Sequence, residues 1–206
     1  MNSTLNIEAD VDFVKTEDKS IVTKRLPGDL AMWFFILAEL TVFAILFIGF
    51  AVSEQLNTEM FSQGKAKLHQ ISGLINTLTL ITSSYFVALA LNKMHQGLGK
   101  QSARLLLIAK LIASIYIGVK IWEYWLLGSA GYGLHGDHFF MAYFLLTGFH
   151  LLHVLLGIVI LGIMARKLRR AAYGPEDVVG LESGALYWHM VDLIWIVLFP
   201  IVYVIQ

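Results

Sequence analysis

The 206-residue chain contains no cysteine and only three prolines. The missing cysteine removes disulfides, thiolate metal sites and cysteine nucleophiles together. The scarcity of proline leaves the long apolar stretches almost unbroken, since only Pro200 falls inside one. Charge is scarce too: Asp, Glu, Lys and Arg make up 15% of the residues, where a soluble domain carries about 25%. Acidic and basic residues balance at 15 each, so nothing points to nucleic acid and no such partner is expected. The start also lacks the basic-then-apolar pattern of a cleavable secretion signal. Residues 1–20 are polar and rather acidic, with Glu8, Asp10, Asp12, Glu17 and Asp18. The first apolar run is therefore expected to act as its own insertion signal.

Apolar residues are abundant: 57% of the chain, with a mean hydropathy of +0.69. A soluble fold of this length cannot hide that much apolar surface. Crossing a hydrocarbon core takes about 20 residues of helix. Five runs are long enough, near 30–52, 72–92, 102–127, 138–165 and 184–204. They are continuous rather than alternating, which favours helices over a barrel. The expected fold is all-α, an integral membrane bundle of five transmembrane helices over residues 27–206, preceded by a flexible cytoplasmic tail at 1–26. Asp29, Asp137 and Ser183 stand where N-caps of the first, fourth and fifth helices belong. Residues 166–183 read as a basic, solvated loop closed by Gly174-Pro175.

Basic residues set the direction. Lys15, Lys19, Lys24 and Arg25 precede the first span. Lys93, Lys100 and Arg104 join the second to the third, and Arg166, Lys167, Arg169 and Arg170 follow the fourth. All of these fall on one side, against Lys65 and Lys67 on the other. The N-terminus is expected in the cytoplasm and the C-terminus outside. Aromatics near the span borders read as interfacial anchors: Trp33, Tyr187 and Trp188 inside, and Trp122, Tyr124, Trp125 and Tyr203 outside.

Ionisable groups in hydrocarbon are costly, so each is a functional candidate. Glu39 lies near the middle of the first span with no polar neighbour on its own helix. It reads either as a proton-exchanging or lipid-contacting carboxyl, or as a neutral acid bonded to another helix. Lys120 and Glu123 are three apart and share a helix face, which favours pairing over snorkelling. Lys110 lies nearer the inner half and can reach the interface along its stem. His150 and His153 form a stripe with Leu146 and Gly157. One helix face cannot supply both axial ligands of one haem, so interhelical hydrogen bonding is the better reading. Gly157 would admit another backbone. His189 and Asp192 repeat the spacing, and a carboxylate there could orient the imidazole for proton traffic or simply hold helices together. Ser72, Asn76, Thr79 and Ser83 make one polar stripe of the kind that joins helices. No nucleophile-and-base set, phosphate loop or metal motif appears, so no catalytic residue and no metal ligand is assigned. An incomplete polar interior of this kind suits a subunit or accessory protein.

Several of these stretches are similar to subunit III of the haem–copper (cytochrome c) oxidases. Met32–Glu39 (MWFFILAE) resembles its acidic first-core helix, and Asn76–Ser84 (NTLTLITSS) its Asn-Thr…Thr-Ser-Ser helix. Trp122-Glu123-Tyr124 resembles the end of its third core helix. Phe139-Phe140 followed by Thr147–Val154 (TGFHLLHV) and Gly157 resembles its central motif, and Tyr187–Trp195 (YWHMVDLIW) its closing signature. The resemblance runs from about residue 27 to the end and covers the last five of the seven helices of the mitochondrial type, as in short bacterial forms. The opening Leu26–Trp33 (LPGDLAMW) looks most like the NorE branch, linked to nitric oxide reductase and denitrification.

The resemblance implies a non-catalytic subunit with no haem or copper of its own. Its partner would be the catalytic subunit I of an oxidase, or a nitric oxide reductase core, which carries the haem and copper. It also implies phospholipid binding, support of proton uptake and protection of the catalytic subunit, in a bacterial inner membrane. Glu39 matches the family's acidic residue near its lipid cleft, and Arg166 and Lys167 fall where a headgroup contact belongs. Glu123, His150, His153, His189 and Asp192 match motif positions as structural or proton-related candidates. From the residues alone, a five-helix haem b electron-transfer protein and a small transporter remain the alternatives.

Overall fold

The computed structural model describes residues 27–134, 137–170 and 178–205. The tail expected at 1–26 and the Gly174-Pro175 turn lie outside them. In lipid every backbone polar group must be satisfied within the chain, and the described residues answer with helices and no strand. In chain order these are α1 (Leu30–Leu56), α2 (Thr58–Lys65), α3 (Gln70–His95), α4 (Gly99–Ser129), α5 (His138–Arg169) and α6 (Val178–Phe199), which continues as a widened π turn over Pro200–Val204. Five of the helices are long and apolar enough to cross a membrane: α1, α3, α4, α5 and α6 with its π turn.

The long helices outrun the apolar runs that signal them. The 32 residues of α5 span about 48 Å at 1.5 Å per residue, against a hydrocarbon core of about 30 Å. Two expectations fall with this. Arg166, Lys167 and Arg169 are helical rather than part of a loop, because cations are favourable in the last turn of a helix and hydropathy does not register that gain. Likewise α6 begins at Val178, so Ser183 lies inside it and caps nothing of its own. Its hydroxyl instead accepts from the Asp29 N–H at 3.1 Å, beside a 2.9 Å bond from the Gly28 N–H to Glu182. These bonds tie the start of α1 to the first turns of α6. Asp29 does cap α1, accepting from the Ala31 N–H. Asp137 occupies the N-cap position of α5 without a side-chain capping bond.

The helices α3, α4, α5 and α6 form the packed body, and α3 and α4 share the largest contact. α3 ends at a turn in which Gly97, at φ +73°, lets the Leu98 N–H bond back to the Lys93 carbonyl. That conformation is cheap only for glycine. α1 is peripheral, resting on α5 and α6, with Phe34, Leu37, Ile45 and Ile48 largely exposed. The short α2 has no counterpart in the sequence reading, since eight residues are too few to show a periodic apolar stripe. It folds back under α1 and α5, where Phe61 is fully buried edge-on against Phe50 and Phe139. Lys65, one of the two cations placed on the other side above, is buried there with Glu54 and the Ile205 carbonyl as partners.

Tyr187, Trp188 and Tyr203 are buried in the core rather than anchored at an interface, whereas Trp122 and Trp125 are exposed. The Trp188 indole occupies the space opposite Gly157 that was expected to admit a backbone; a Cβ there would lie 2.7 Å from its ring. Gly157→Ala should therefore lower stability by about 1–3 kcal/mol through overpacking, read as a lower thermal midpoint in detergent. Gly118→Ala, with open space around it, should not lower it.

Candidate functional site

Polar side chains meet inside the bundle in three groups, each joining different helices. The largest centres on Lys120 and Glu123 of α4, which are 0% and 1% exposed. Lys120 Nζ donates to Glu123 at 3.0 Å, to the Tyr143 hydroxyl at 3.0 Å and to the Tyr203 hydroxyl at 2.6 Å. An ammonium has three donors, and all three are used. Glu123 also accepts from the Tyr203 hydroxyl at 2.9 Å and from the Ser72 hydroxyl at 3.1 Å. The Lys120 Nζ lies 4.9 Å from the centre of the Tyr143 ring, within cation–π range. One buried ion pair thus gathers α3, α4, α5 and the end of α6. The pairing expected from the three-residue spacing is present, and Lys120 does not snorkel.

Tyr203 reaches this cluster from the π turn. Pro200 has no N–H to give the preceding turn, and the Ile205 N–H closes an i→i+5 bond on the Pro200 carbonyl at 2.9 Å.

The second group holds the motif histidines. His150 Nε2–H donates to the Val191 carbonyl of α6 at 3.1 Å, and its Nδ1 faces the Tyr116 hydroxyl of α4 at 3.0 Å. His153 Nδ1–H donates to the Phe149 carbonyl at 2.8 Å, and its Nε2 meets Glu39 Oε2 of α1 at 2.9 Å. Both nitrogens of both rings are thus engaged by protein, which argues against haem ligation. A carbonyl only accepts, so His153 Nδ1 carries a proton. The contact between Nε2 and the Glu39 carboxyl then holds one further proton, on oxygen or on nitrogen. Either way the pair is neutral overall, with its two heavy atoms 2.9 Å apart. Glu39 therefore finds its partner on another helix, and its side chain remains 20% exposed toward the outside of the bundle.

The third group lies between α3 and α6. His189 Nδ1 bonds the Ser84 hydroxyl at 2.6 Å. Asp192 does not orient His189 by any hydrogen bond among the described residues, and its buried Oδ1 has no partner. Trp195 Nε1–H donates to Thr77 at 2.9 Å nearby. Of the polar stripe on α3, Ser83 donates to the Ala109 carbonyl at 2.9 Å, while Asn76 is fully buried with no partner for its amide among the described residues. Arg166 and Lys167 stand apart from all three groups, exposed in the last turn of α5. Among the described residues no three His, Asp or Glu side chains converge as a metal ion requires.

Sequence reasoning missed Tyr116, Tyr143 and Tyr203. Their phenols complete the first two groups, but in a hydropathy profile a tyrosine looks like an apolar or interfacial residue.

Comparison with known proteins gives one family. The model of the cytochrome c oxidase subunit III family matches residues 10–206. A cytochrome c oxidase subunit 3 of Synechocystis sp. is 31% identical over 176 residues, covering 83% of this chain and 72% of the relative. One from Thermostichus vulcanus is 29% identical over 177 residues, 85% of this chain and 86% of the relative. A cytochrome bo(3) ubiquinol oxidase subunit 3 of Pseudomonas putida is 28% identical over 180 residues, covering 85% and 84%.

The saturated ion pair makes a sharp stability test. Lys120→Met should cost about 3–5 kcal/mol, because it strands the Glu123 carboxylate in the interior. Lys120→Met combined with Glu123→Leu should recover much of that loss. Denaturant titration followed by helical circular dichroism would measure both.

Proposed function

The chain belongs to the cytochrome c oxidase subunit III family, and from that premise we propose that it serves as the non-catalytic third subunit of a haem–copper oxidase. It would dock on a catalytic subunit I that carries the haem and copper. The observation that carries this reading is the combination of an interior whose buried ion pair and motif histidines are all bonded within the chain with a peripheral α1 whose apolar face is open. A helix with Phe34, Leu37, Ile45 and Ile48 outward offers surface to lipid or to a partner's helices. The proposed setting is a bacterial inner membrane, with the basic end of α5 in the cytoplasm and the C-terminus outside.

Within that role, the pair Glu39–His153 is proposed as the proton-related and lipid-contacting element. It joins the peripheral helix α1 to α5 of the body, and it sits at the bundle's edge. Glu123, His150, His189 and Asp192 are assigned to holding the bundle. Arg166 and Lys167 are proposed as headgroup contacts at the cytoplasmic border. Phospholipid is the ligand proposed for the chain itself.

A second reading rests on the opening Leu26–Trp33, which resembles the NorE branch. On that reading the partner is a nitric oxide reductase core. The two separate cleanly in a deletion strain. An oxidase subunit predicts faster loss of oxidase activity during turnover, with haem content unchanged. A reductase factor predicts a defect confined to denitrifying growth. Unchanged assembly, turnover and inactivation in both conditions would contradict both.

Glu39→Gln can still donate to His153 Nε2 but cannot yield a proton. It should leave stability within about 1 kcal/mol while speeding turnover-linked inactivation of the complex or lowering its lipid content. Normal inactivation and normal lipid would restrict Glu39 to a structural role.

A further inference from the structure

Two buried groups of α6 have no hydrogen-bond partner among the described residues. One is a donor, the Trp188 indole N–H; the other is an acceptor, Asp192 Oδ1. Their residues are 1% and 9% exposed. A polar atom buried away from water is costly unless it is bonded, so each calls for a partner. The other indole of the Tyr187–Trp195 stretch shows the ordinary solution, since Trp195 Nε1–H donates to Thr77 at 2.9 Å. Asn76 also lacks a partner. It belongs to the α3 stripe whose Ser72 and Ser83 bond to α4, so it lies on a different seam.

Trp188 and Asp192 are four residues apart, which puts their Cβ atoms about 5–6 Å from each other on one helix face. Side chains of a helix lean toward its N-terminus, and this carries the Asp192 carboxyl over the turn that holds Trp188. The two groups still do not close on each other. The Trp188 ring is wedged against Gly157, where a Cβ would lie 2.7 Å from it, so the indole cannot swing. Asp192 is drawn toward α3, where the Ser84 hydroxyl faces its carboxyl. Asp192 is also short, and it stands between two buried indoles, Trp188 before it and Trp195 after it. A carboxyl alone does not fill the interval that two indoles set.

The chemistry of the pair selects an occupant. A cation finds no ligand in an indole N–H, and an anion finds none in a carboxyl oxygen. An apolar group would leave both atoms unsatisfied. The molecule required accepts from one, donates to the other and fits within one helical turn, which describes water. With hydrogen bonds of about 2.9 Å on each side, one water spans what a direct bond does not.

We propose that a single buried water bridges the Trp188 N–H and the Asp192 carboxyl. It gives Asp192 the partner that spacing assigned to His189, and it ties two turns of α6 together where they pack on α3 and α5. The inference does not depend on which complex the chain joins.

The full chain is purified in mild detergent, and the indole N–H marker of Trp188 is isolated by ultraviolet resonance Raman as wild type minus Trp188→Phe. The expected marker is that of a hydrogen-bonded N–H. Asp192→Leu, similar in shape but apolar, should shift it to the free position, although the two residues share no direct bond. Asp192→Asn keeps an acceptor and should leave it bonded. Infrared difference spectra in heavy-oxygen water should show an isotope-sensitive O–H band in the wild type that is lost in Trp188→Phe and in Asp192→Leu. A free Trp188 N–H in the wild type would overturn the proposal, and that reading needs no variant to fold. A bonded N–H unmoved by Asp192→Leu would assign another acceptor and overturn it too. So would a bonded N–H without the isotope-sensitive band, which would mark an occupant other than water.

Discussion

Lys120 and Glu123 carry opposite charges to a place that water does not reach. Bringing either there alone would cost several kcal/mol, and the attraction between them repays it only if every remaining donor and acceptor is filled. Tyr143, Tyr203 and Ser72 fill them. That requirement fixes much of the architecture. It sets the register of α3 against α4, holds α5 at the height of Tyr143, and calls for the widened turn at Pro200 that delivers Tyr203. Without a hydrophobic drive between helices in lipid, close packing and such bonds are what hold the body together. The glycines at 157 and 184, filled by Trp188 and Met164, supply the packing.

The remaining polar groups divide the interior by task. His150 is bound on both sides, by Tyr116 and the Val191 carbonyl, and is a joint between α4, α5 and α6. Glu39 and His153 differ in kind. They meet at 2.9 Å at the edge of the bundle, where the peripheral α1 rests on α5. A cross-bonded interior with an open apolar helix at its margin suits the non-catalytic subunit proposed above.

Much of this was legible in the residues. The five spans came from continuous hydropathy, and the Lys120–Glu123 pair from its spacing. Glu39, His150 and His153 were flagged because an ionisable residue in hydrocarbon needs a reason. What stayed hidden was anything that depends on which helices meet. The bond from Glu39 to His153 joins residues 114 apart, and no periodicity relates them. His189 and Asp192 show the converse: their spacing suggests a pair, yet His189 turns to Ser84 across the bundle. Helix ends were misplaced because hydropathy stops at the first cation while backbone hydrogen bonding does not. α2 was missed because its eight residues bury one phenylalanine rather than a stripe.

On the proposed reading this bundle works as one part of a haem–copper complex. A tagged chain extracted in mild detergent under native conditions tests it most directly, with its companions identified by mass and their haem by absorption. The expected result is co-purification with a haem-bearing catalytic subunit I, and no Soret band in the chain once that partner is stripped away. Recovery of the chain alone, or a haem spectrum that stays with it after separation, would contradict the account.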